Sequence, residues 1–331
     1  MTYDLVSLGR ANMDLFSQDI GAAFADIGGF DAAVGGSPAN IAIGVSRLGL
    51  RSIALTAVGD DRVGEFVLRY LRDEGVTTEF IPTIEGKLTS LALIGVQPPN
   101  NFPLSFYRED PADIYLTSAH VDAVPFDHIR ALQVSGNSLS RGPCAEAATH
   151  ALDIAGQHDV TTFMDLDLRP ADWESASDFG KSVRSVIPAV HVVIGTEEEF
   201  YAALMPTPER TMGGQSVPRD ERADLDDAVC DAQAFRSQTF IIKRSERGAT
   251  IVSAEGSVDV SGFTVDVVNT VGAGDAFASG LIRSRIAGLD WQESVCFANA
   301  CGAITVSRHG CSSAFPTQTE VDVFIAQRAD R

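Results

Sequence analysis

Short apolar runs separated by amphipathic stretches give this chain its rhythm. The runs DLVSLG (4–9), SIALTAVG (52–59), ALQVSG (131–136), TTFMDLD (161–167), VHVVIG (190–195), TFIIKR (239–244) and ATIVSA (249–254) predict strands. The stretches 38–48, 62–74, 143–157, 197–204, 224–236, 274–287 and 291–307 predict helices. The alternation predicts an α/β fold, a parallel sheet covered by helices. The first helix has clear punctuation: Ser37 suits the N-cap, Pro38 sits where a missing N–H does no harm, and Gly49 follows the end.

Two regions break the rhythm. Residues 10–36 and 85–116 are rich in Gly, Phe and polar residues, with period-2 stretches such as LTSLALIGV (88–96) and FPLSFYRE (102–109). They predict extra strands that leave the main sheet as a small lid. Residues 206–223, polar and carrying three prolines, predict an exposed insertion.

Composition narrows the class. At 331 residues, one large α/β domain with an appendage fits, and so do two domains. Apolar residues make up 45% and charged residues 21%, values of a globular protein. No apolar run is long enough to span a membrane, and MTYDLVSLGR lacks the pattern of a secretory signal. Five scattered cysteines without a CxxC pair fit reduced thiols in a cytoplasmic chain, not a disulfide framework or a zinc site. A net charge of −20 disfavours nucleic acid and anionic membranes as partners. An anionic substrate would therefore need a locally basic pocket; simple solubility accounts for the bulk charge equally well.

The candidate chemistry starts at VVNTVGAGDAFASG (267–280). Gly272, Ala273 and Gly274 let an anion approach the backbone, and the helix that follows aims unpaired N–H groups at the same spot. Asp275 would lie beside a bound phosphate, where a carboxylate can accept a proton from an attacking hydroxyl. Taken alone, the four residues also fit a tight turn with an acid in the first helical turn. Other phosphate motifs are absent. Gly180-Lys181-Ser182 ends like a P-loop, but Ser175 stands where its first glycine belongs. The first strand runs into Gly9-Arg10-Ala11-Asn12, without a dinucleotide fingerprint. A second glycine-rich site is GGSPAN (35–40), where Gly35 and Gly36 precede a helix carrying Asn40. Asp14 follows the first strand, at the edge where such sheets bind ligands.

Two long segments, GGSPANIAIGVSRLGLRSIALTAVGDDRVG (35–64) and VVNTVGAGDAFASG, resemble the N- and C-terminal signatures of the ribokinase (PfkB) family of sugar kinases, in the family's order. The resemblance implies a ribokinase-like three-layer α/β sandwich with a mostly parallel central sheet and a small β-strand lid, a single domain over residues 1–331. It implies ATP and Mg2+ as cofactors. It gives Asp275 the role of catalytic base, with Gly272, Ala273 and Gly274 as the anion hole. By position in the motifs, Asp14, Gly35, Gly36 and Asn40 match residues that hold the sugar. Glu199 matches the acid that organises magnesium through water, with Thr196 in place of the usual Asn; acids favoured at a helix start are the plain alternative. Lys243, Ser245 and Gly248 in KRSERG match a nucleotide-binding loop, with Ser245 replacing a glycine, and Asn299 matches an adenine-side residue. Asn269 replaces the family's usual Asp, which leaves monovalent-cation binding open. A homodimer through the lid is an expectation by analogy alone.

Ser37, where ribokinase-like members carry Lys, argues against a neutral pentose. Arg108 on a predicted lid strand and Arg169 after a central strand match residues that grip the carboxylate in the acid-sugar kinases of the family, with Phe106 packing on the sugar. Guanidinium forks suit a carboxylate; for either arginine alone, a surface pair with Glu109 or Asp172 is the alternative. The phrases FYREDPADIYL (106–116), DLDLRPADW (165–173), IGTEEEF (194–200) and ANACGAITVSRHGCSSAFPT (298–317) resemble the 5-dehydro-2-deoxygluconokinase subgroup of myo-inositol catabolism. The implied reaction phosphorylates the C6 hydroxyl of 5-dehydro-2-deoxy-D-gluconate. A 2-dehydro-3-deoxygluconokinase and a non-catalytic sugar-acid sensor on the same scaffold are the alternatives.

Overall fold

The computed structural model describes residues 2–97, 101–205, 225, 228–229 and 238–329. Its main sheet has eight strands: β1 (Tyr3–Leu8), β4 (Ser52–Leu55), β9 (Ile129–Ser135), β10 (Thr161–Asp165), β11 (Val192–Thr196), β12 (Thr239–Lys243), β13 (Ala249–Ser253) and β14 (Gly256–Val260). They lie in the order β14-β13-β12-β11-β10-β9-β1-β4. Neighbours from β4 to β12 are parallel, whereas β13 and β14 are antiparallel.

Successive side chains in each strand enter opposite layers. Val6 and Leu8 pack with Ala147, Phe179 and Phe200 on one face. Leu5 packs with Ile41, Leu281 and Val295 on the other. Met164 and Phe163 divide in the same way. Burial on both faces is why these strands read as continuous apolar runs. The first layer is built from α4 (Pro143–Gln157), α5 (Ala176–Val186) and α6 (Glu197–Leu204). The second comes from α1 (Ser37–Arg47), α7 (Ala273–Ile286) and α8 (Trp291–Val306). Three further helices are α2 (Arg62–Asp73), α3 (Ser118–Asp122) and α9 (Gln318–Ala329).

A second sheet stands apart. Its four strands are β2 (Asn12–Ser17), β3 (Phe30–Gly35), β7 (Leu91–Ile94) and β8 (Leu104–Tyr107), in the order β3-β2-β7-β8. All four fall within the two stretches expected to leave the main sheet. Only Gly9, Arg10 and Ala11 join β1 to β2.

Several expectations are corrected. The 52–59 run is not one strand. β4 ends at Leu55, and β5 (Val58–Gly59) turns away to pair with β6 (Thr83–Ile84). Ser37 does not cap α1. Gly36 is the N-cap and Ser37 is already helical, which turns its hydroxyl inward. β6, β14, α3, α5 and α9 were not expected. β14 is a mostly exposed edge strand with no apolar run, and α5 hides its buried Phe179 and Val183 among serines and a glycine. Of the expected helix 224–236, residues 225 and 228–229 are helical. Its remainder, with Cys230 and the 206–223 insertion, lies outside the described residues. Among the described residues, no helix is long and apolar enough to cross a membrane.

Candidate active site

The carboxyl edge of the parallel strands gathers most of the expected residues. Gly272 is the N-cap of α7, with φ 83°, in the left-handed region that favours glycine. A Cβ there would also meet Cys311 Sγ at 2.6 Å. The turn therefore needs glycine twice over, for its backbone and for the segment it leans on. Asn269 pins that segment: buried, it donates to Gly310 O at 2.8 Å and accepts from Val271 N at 3.0 Å.

Asp275 sits in the first turn of α7, half-buried. Its Oδ2 accepts from Asn40 Nδ2 at 2.7 Å. Burial and the nearby Asp167 raise its pKa above the usual carboxylate range, while Asn40, Arg169 and the inward Ser37 hydroxyl oppose the rise. The carboxylate has no cationic partner within ion-pair distance among the described residues. It is neither locked into the core nor neutralised, which is the state a proton acceptor needs.

Asp14 arrives from the second sheet. Its Oδ1 accepts from Asn12 Nδ2 at 2.5 Å. Burial pushes its pKa up to about 6, against the pull of Arg10 and Asn12. Gly35 on the paired strand β3 makes room for it, since a Cβ there would lie 2.0 Å from Asp14 Oδ2. Asn40, Gly35, Gly36, Asp14 and Asp275 thus converge.

The residues expected on the nucleotide side are held differently. Lys243 ends β12 and reaches Asp165 at 3.1 Å. Burial works against its charge, but Asp165, Glu199 and Asp275 outweigh it and keep the ammonium protonated. A Cβ on Gly274 would lie 3.3 Å from Lys243 Nζ, so this cation flanks the glycine turn. Ser245 has φ 54°, the backbone a glycine would supply, so the KRSERG loop keeps its shape despite the replacement. Arg244 and Arg247 both bind the buried Glu197, Arg247 at 3.0 Å. Thr196 and Glu199 form the capping box of α6: Thr196 Oγ1 accepts from Glu199 N at 3.2 Å and Glu199 Oε2 from Thr196 N at 2.7 Å. Glu199 Oε1 takes Leu168 N at 3.1 Å. The plain alternative for these acids at a helix start is the interaction observed. Asn299 is buried and donates to Val260 O and Ser261 O at 3.2 and 3.1 Å, fastening the sheet edge.

The two expected carboxylate-gripping arginines differ from each other. Arg169 is 50% exposed and pairs with Asp167 at 2.6 Å. Arg108 is 5% exposed and engaged internally: Asp113 takes its fork at 2.5 and 2.8 Å, Ser90 Oγ accepts at 3.0 Å, and Nε reaches Asp172 at 3.3 Å. Its partners are Asp113 and Asp172, not Glu109. Phe106 on β8 lies under both Arg108 and Arg10, 5.9 and 5.1 Å from its ring centre. Arg10 went unnoticed in the sequence because nothing local marks it.

Residues 3–318 match the profile of the pfkB family carbohydrate kinases. The chain belongs to that family. It is therefore a phosphotransferase that acts on a sugar hydroxyl. It is 32% identical over 98% of its length to a 5-dehydro-2-deoxygluconokinase of Bacillus anthracis, covering 95% of that protein. It is also 32% identical to 5-dehydro-2-deoxygluconokinase 2 of Bacillus cereus, over 97% of this chain and 94% of that one. Among solved structures, a putative ribokinase II of E. coli in complex with ATP and Mg2+ superposes with a TM-score of 0.83, covering 98% of this chain and 99% of that one at 23% identity. A fructokinase of Xylella fastidiosa with bound ATP superposes with a TM-score of 0.82, covering 99% and 100% at 23% identity. These likenesses establish the ribokinase-like fold of this family member.

Proposed function

We propose that this pfkB kinase transfers the γ-phosphoryl group of ATP to the C6 hydroxyl of 5-dehydro-2-deoxy-D-gluconate. The observation that carries the reading is Asp275: a half-buried carboxylate of raised pKa, at the start of α7, bonded to Asn40 and without an ion-pair partner among the described residues. The names of the relatives supply the substrate.

The acceptor binds between the two sheets, with Asp14 and Asn40 on its hydroxyls and the second sheet as a lid that excludes water. Asp275 takes the C6 hydroxyl proton as that oxygen bonds to the γ-phosphorus. The bridging oxygen leaves with ADP. The amides at Gly272, Ala273 and Gly274 face the charge that develops on the phosphoryl oxygens. Lys243 adds a fixed positive charge beside them, and the 243–248 loop borders the nucleotide. Little covalent chemistry falls to the protein beyond positioning.

Among the described residues, no cluster of His, Cys, Asp and Glu could hold a metal by itself. Magnesium bound to a triphosphate needs only one or two protein carboxylates. Asp165, paired with Lys243 at 3.1 Å, and Glu199 would meet that need, with lone pairs left for bridging waters. When bound, the ion neutralises phosphate charge. A monovalent cation is not part of the proposal, because the neutral Asn269 is already bonded on both sides. Exposed Leu88, Leu104 and Tyr107 on and beside the second sheet support pairing of two copies there.

The test is ADP release with ATP and both keto-deoxy-gluconates, with fructose and ribose as controls. Preferred turnover of 5-dehydro-2-deoxygluconate is expected. Faster turnover of the 2-dehydro-3-deoxy isomer, or of a neutral sugar, would overturn the substrate assignment. Sugar-acid binding without ADP release would mark a sensor instead.

A further inference from the structure

A buried guanidinium is stable only when its charge and its N–H groups find partners. Arg108 obeys this rule fully. Arg10, over the same Phe106 ring, does not. Its side chain is 11% exposed, and Asp172, at 3.5 Å, is its sole ion-pair partner among the described residues. Its Nε is buried with no hydrogen-bond partner. An arginine offers five N–H donors in a fixed fork, so most of this fork is free. Burial is the strongest influence on the group and lowers its pKa; Asp167 opposes this, while Arg169 and Arg108 add to it.

The surroundings identify the missing chemistry. Arg10, Arg108, Asn137 and Arg141 line one indentation. Asp172 receives Asn137 Nδ2 at 3.0 Å, Arg108 Nε at 3.3 Å and Arg141 at 3.7 Å. Asp113 is tied up with Arg108. Asp113 is already taken by Arg108 and Asp172 is shared among three guanidiniums, so most of the Arg10 fork is left to face one further carboxylate. The Phe106 ring lies against the Arg10 guanidinium, 5.1 Å from ring centre to its central carbon, a cation–π contact that leaves the N–H groups free. After burial, Arg10 is the largest influence on the pKa of Asp14, and Asp14 in turn is coupled to Asp275. The backbone of Arg10 lies against Gly36, where a Cβ would meet Arg10 O at 2.5 Å, so the fork belongs with the Gly35–Asp14 side of the cleft.

We propose that Arg10 is the residue that selects an acid sugar, its fork binding the C1 carboxylate of the acceptor. Arg108 and Asp172 are positioning residues: Arg108 braces Asp113 and Phe106, and Asp172 aims the Arg10 fork. Arg169, half-exposed, closes the rim. This assignment rests on the sugar-acid reading above and moves the centre of recognition from Arg108 to Arg10.

The experiment compares wild type with Arg10→Gln and Arg10→Lys on two acceptors, the sugar acid and its C1-alcohol analogue. Wild type is expected to prefer the acid. Arg10→Gln is expected to raise KM for the acid about a hundredfold, the loss of one or two charged hydrogen bonds. It should leave KM for ATP unchanged and abolish the preference over the alcohol. Arg10→Lys should restore part of it, as a point charge without the fork. Thermal unfolding of Arg10→Gln should be no easier than that of wild type, since an under-compensated charge is removed. Equal shifts for acid and alcohol, or an unchanged preference, would overturn the role of Arg10 while leaving the kinase assignment standing. A wild type with no preference for the acid would overturn the sugar-acid reading, and the role of Arg10 with it.

Discussion

The two sides of the cleft proposed above, one for the nucleotide and one for the acceptor, hold their polar groups in opposite ways. On the nucleotide side, partners are plentiful. Glu197 carries two arginines, Glu199 and Thr196 cap each other, and Asn299 joins two carbonyls. On the acceptor side, Asp275 has one amide, Asp14 has one amide, and Arg10 has one distant carboxylate. The contrast teaches that a saturated polar group builds the frame, and that an under-partnered one at the cleft is where a reactant makes up the balance. Substitutions on the two sides should therefore fail differently: lost turnover or affinity on the acceptor side, lost stability on the nucleotide side.

The largest effect is expected at Asp275. Asp275→Asn should cut kcat by about 10²–10⁴-fold, with ATP affinity and unfolding little changed. Near-normal turnover, measured by ADP release, would place the base elsewhere. Next comes Glu197→Ala, which leaves Arg244 without its buried acid. Denaturant unfolding should show a loss of about 3–5 kcal/mol, with kcat of the folded fraction largely kept. Intact stability with lost turnover would erase the contrast between the two sides.

Asp14 gives a test by pH. Its carboxyl titrates at about 6 in the folded chain against 3.8 ordinarily. Below 3.8 it is neutral in both states. As pH rises towards 6 the unfolded chain ionises first, so folding loses up to about 3 kcal/mol, and the loss is complete above that value. Asp14→Asn should lack this term. Its melting temperature should gain on wild type between pH 4.5 and 7.5 (approximate bounds of that window) while its acceptor KM rises. A constant difference across that window would mean that the Asp14 carboxyl is not held out of water. The smallest effect is expected at Thr196→Ala, the loss of one cap, about 1 kcal/mol of stability with ATP KM unchanged. A raised ATP KM would return Thr196 to the nucleotide site.

What could be read from the chain depended on whether the cause was local. Strands buried on both faces announce themselves as apolar runs, so β1, β9, β10, β11 and β12 were legible almost to the residue. Glycines at a turn are equally local, so the Gly272 turn and the helix start that carries Asp275 were visible as well. Arg10 was not, because its importance comes from what it fails to meet across β8 and the 170–172 turn. Glu199 was legible only in part: the acid stood out at the helix start, but the backbone N–H groups of Thr196 and Leu168 that hold it are not visible in the sequence. Ser37 was one position off, since the deciding factor was the left-handed backbone of Gly36.

The link between the two sheets has a consequence of its own. Asn12, Asp14 and Phe16 share the buried face of β2, with Asp14 in register with Ala33 and Ala92. Because that alternation has a period of two, adding one residue among Gly9, Arg10 and Ala11 would turn Met13 and Leu15 inward and swing Asp14 out. The spacing between the guanidinium and the aspartate is therefore a ruler cut into the backbone. Evolution or engineering can re-letter the pocket freely, yet can change its length at this joint only in steps of two.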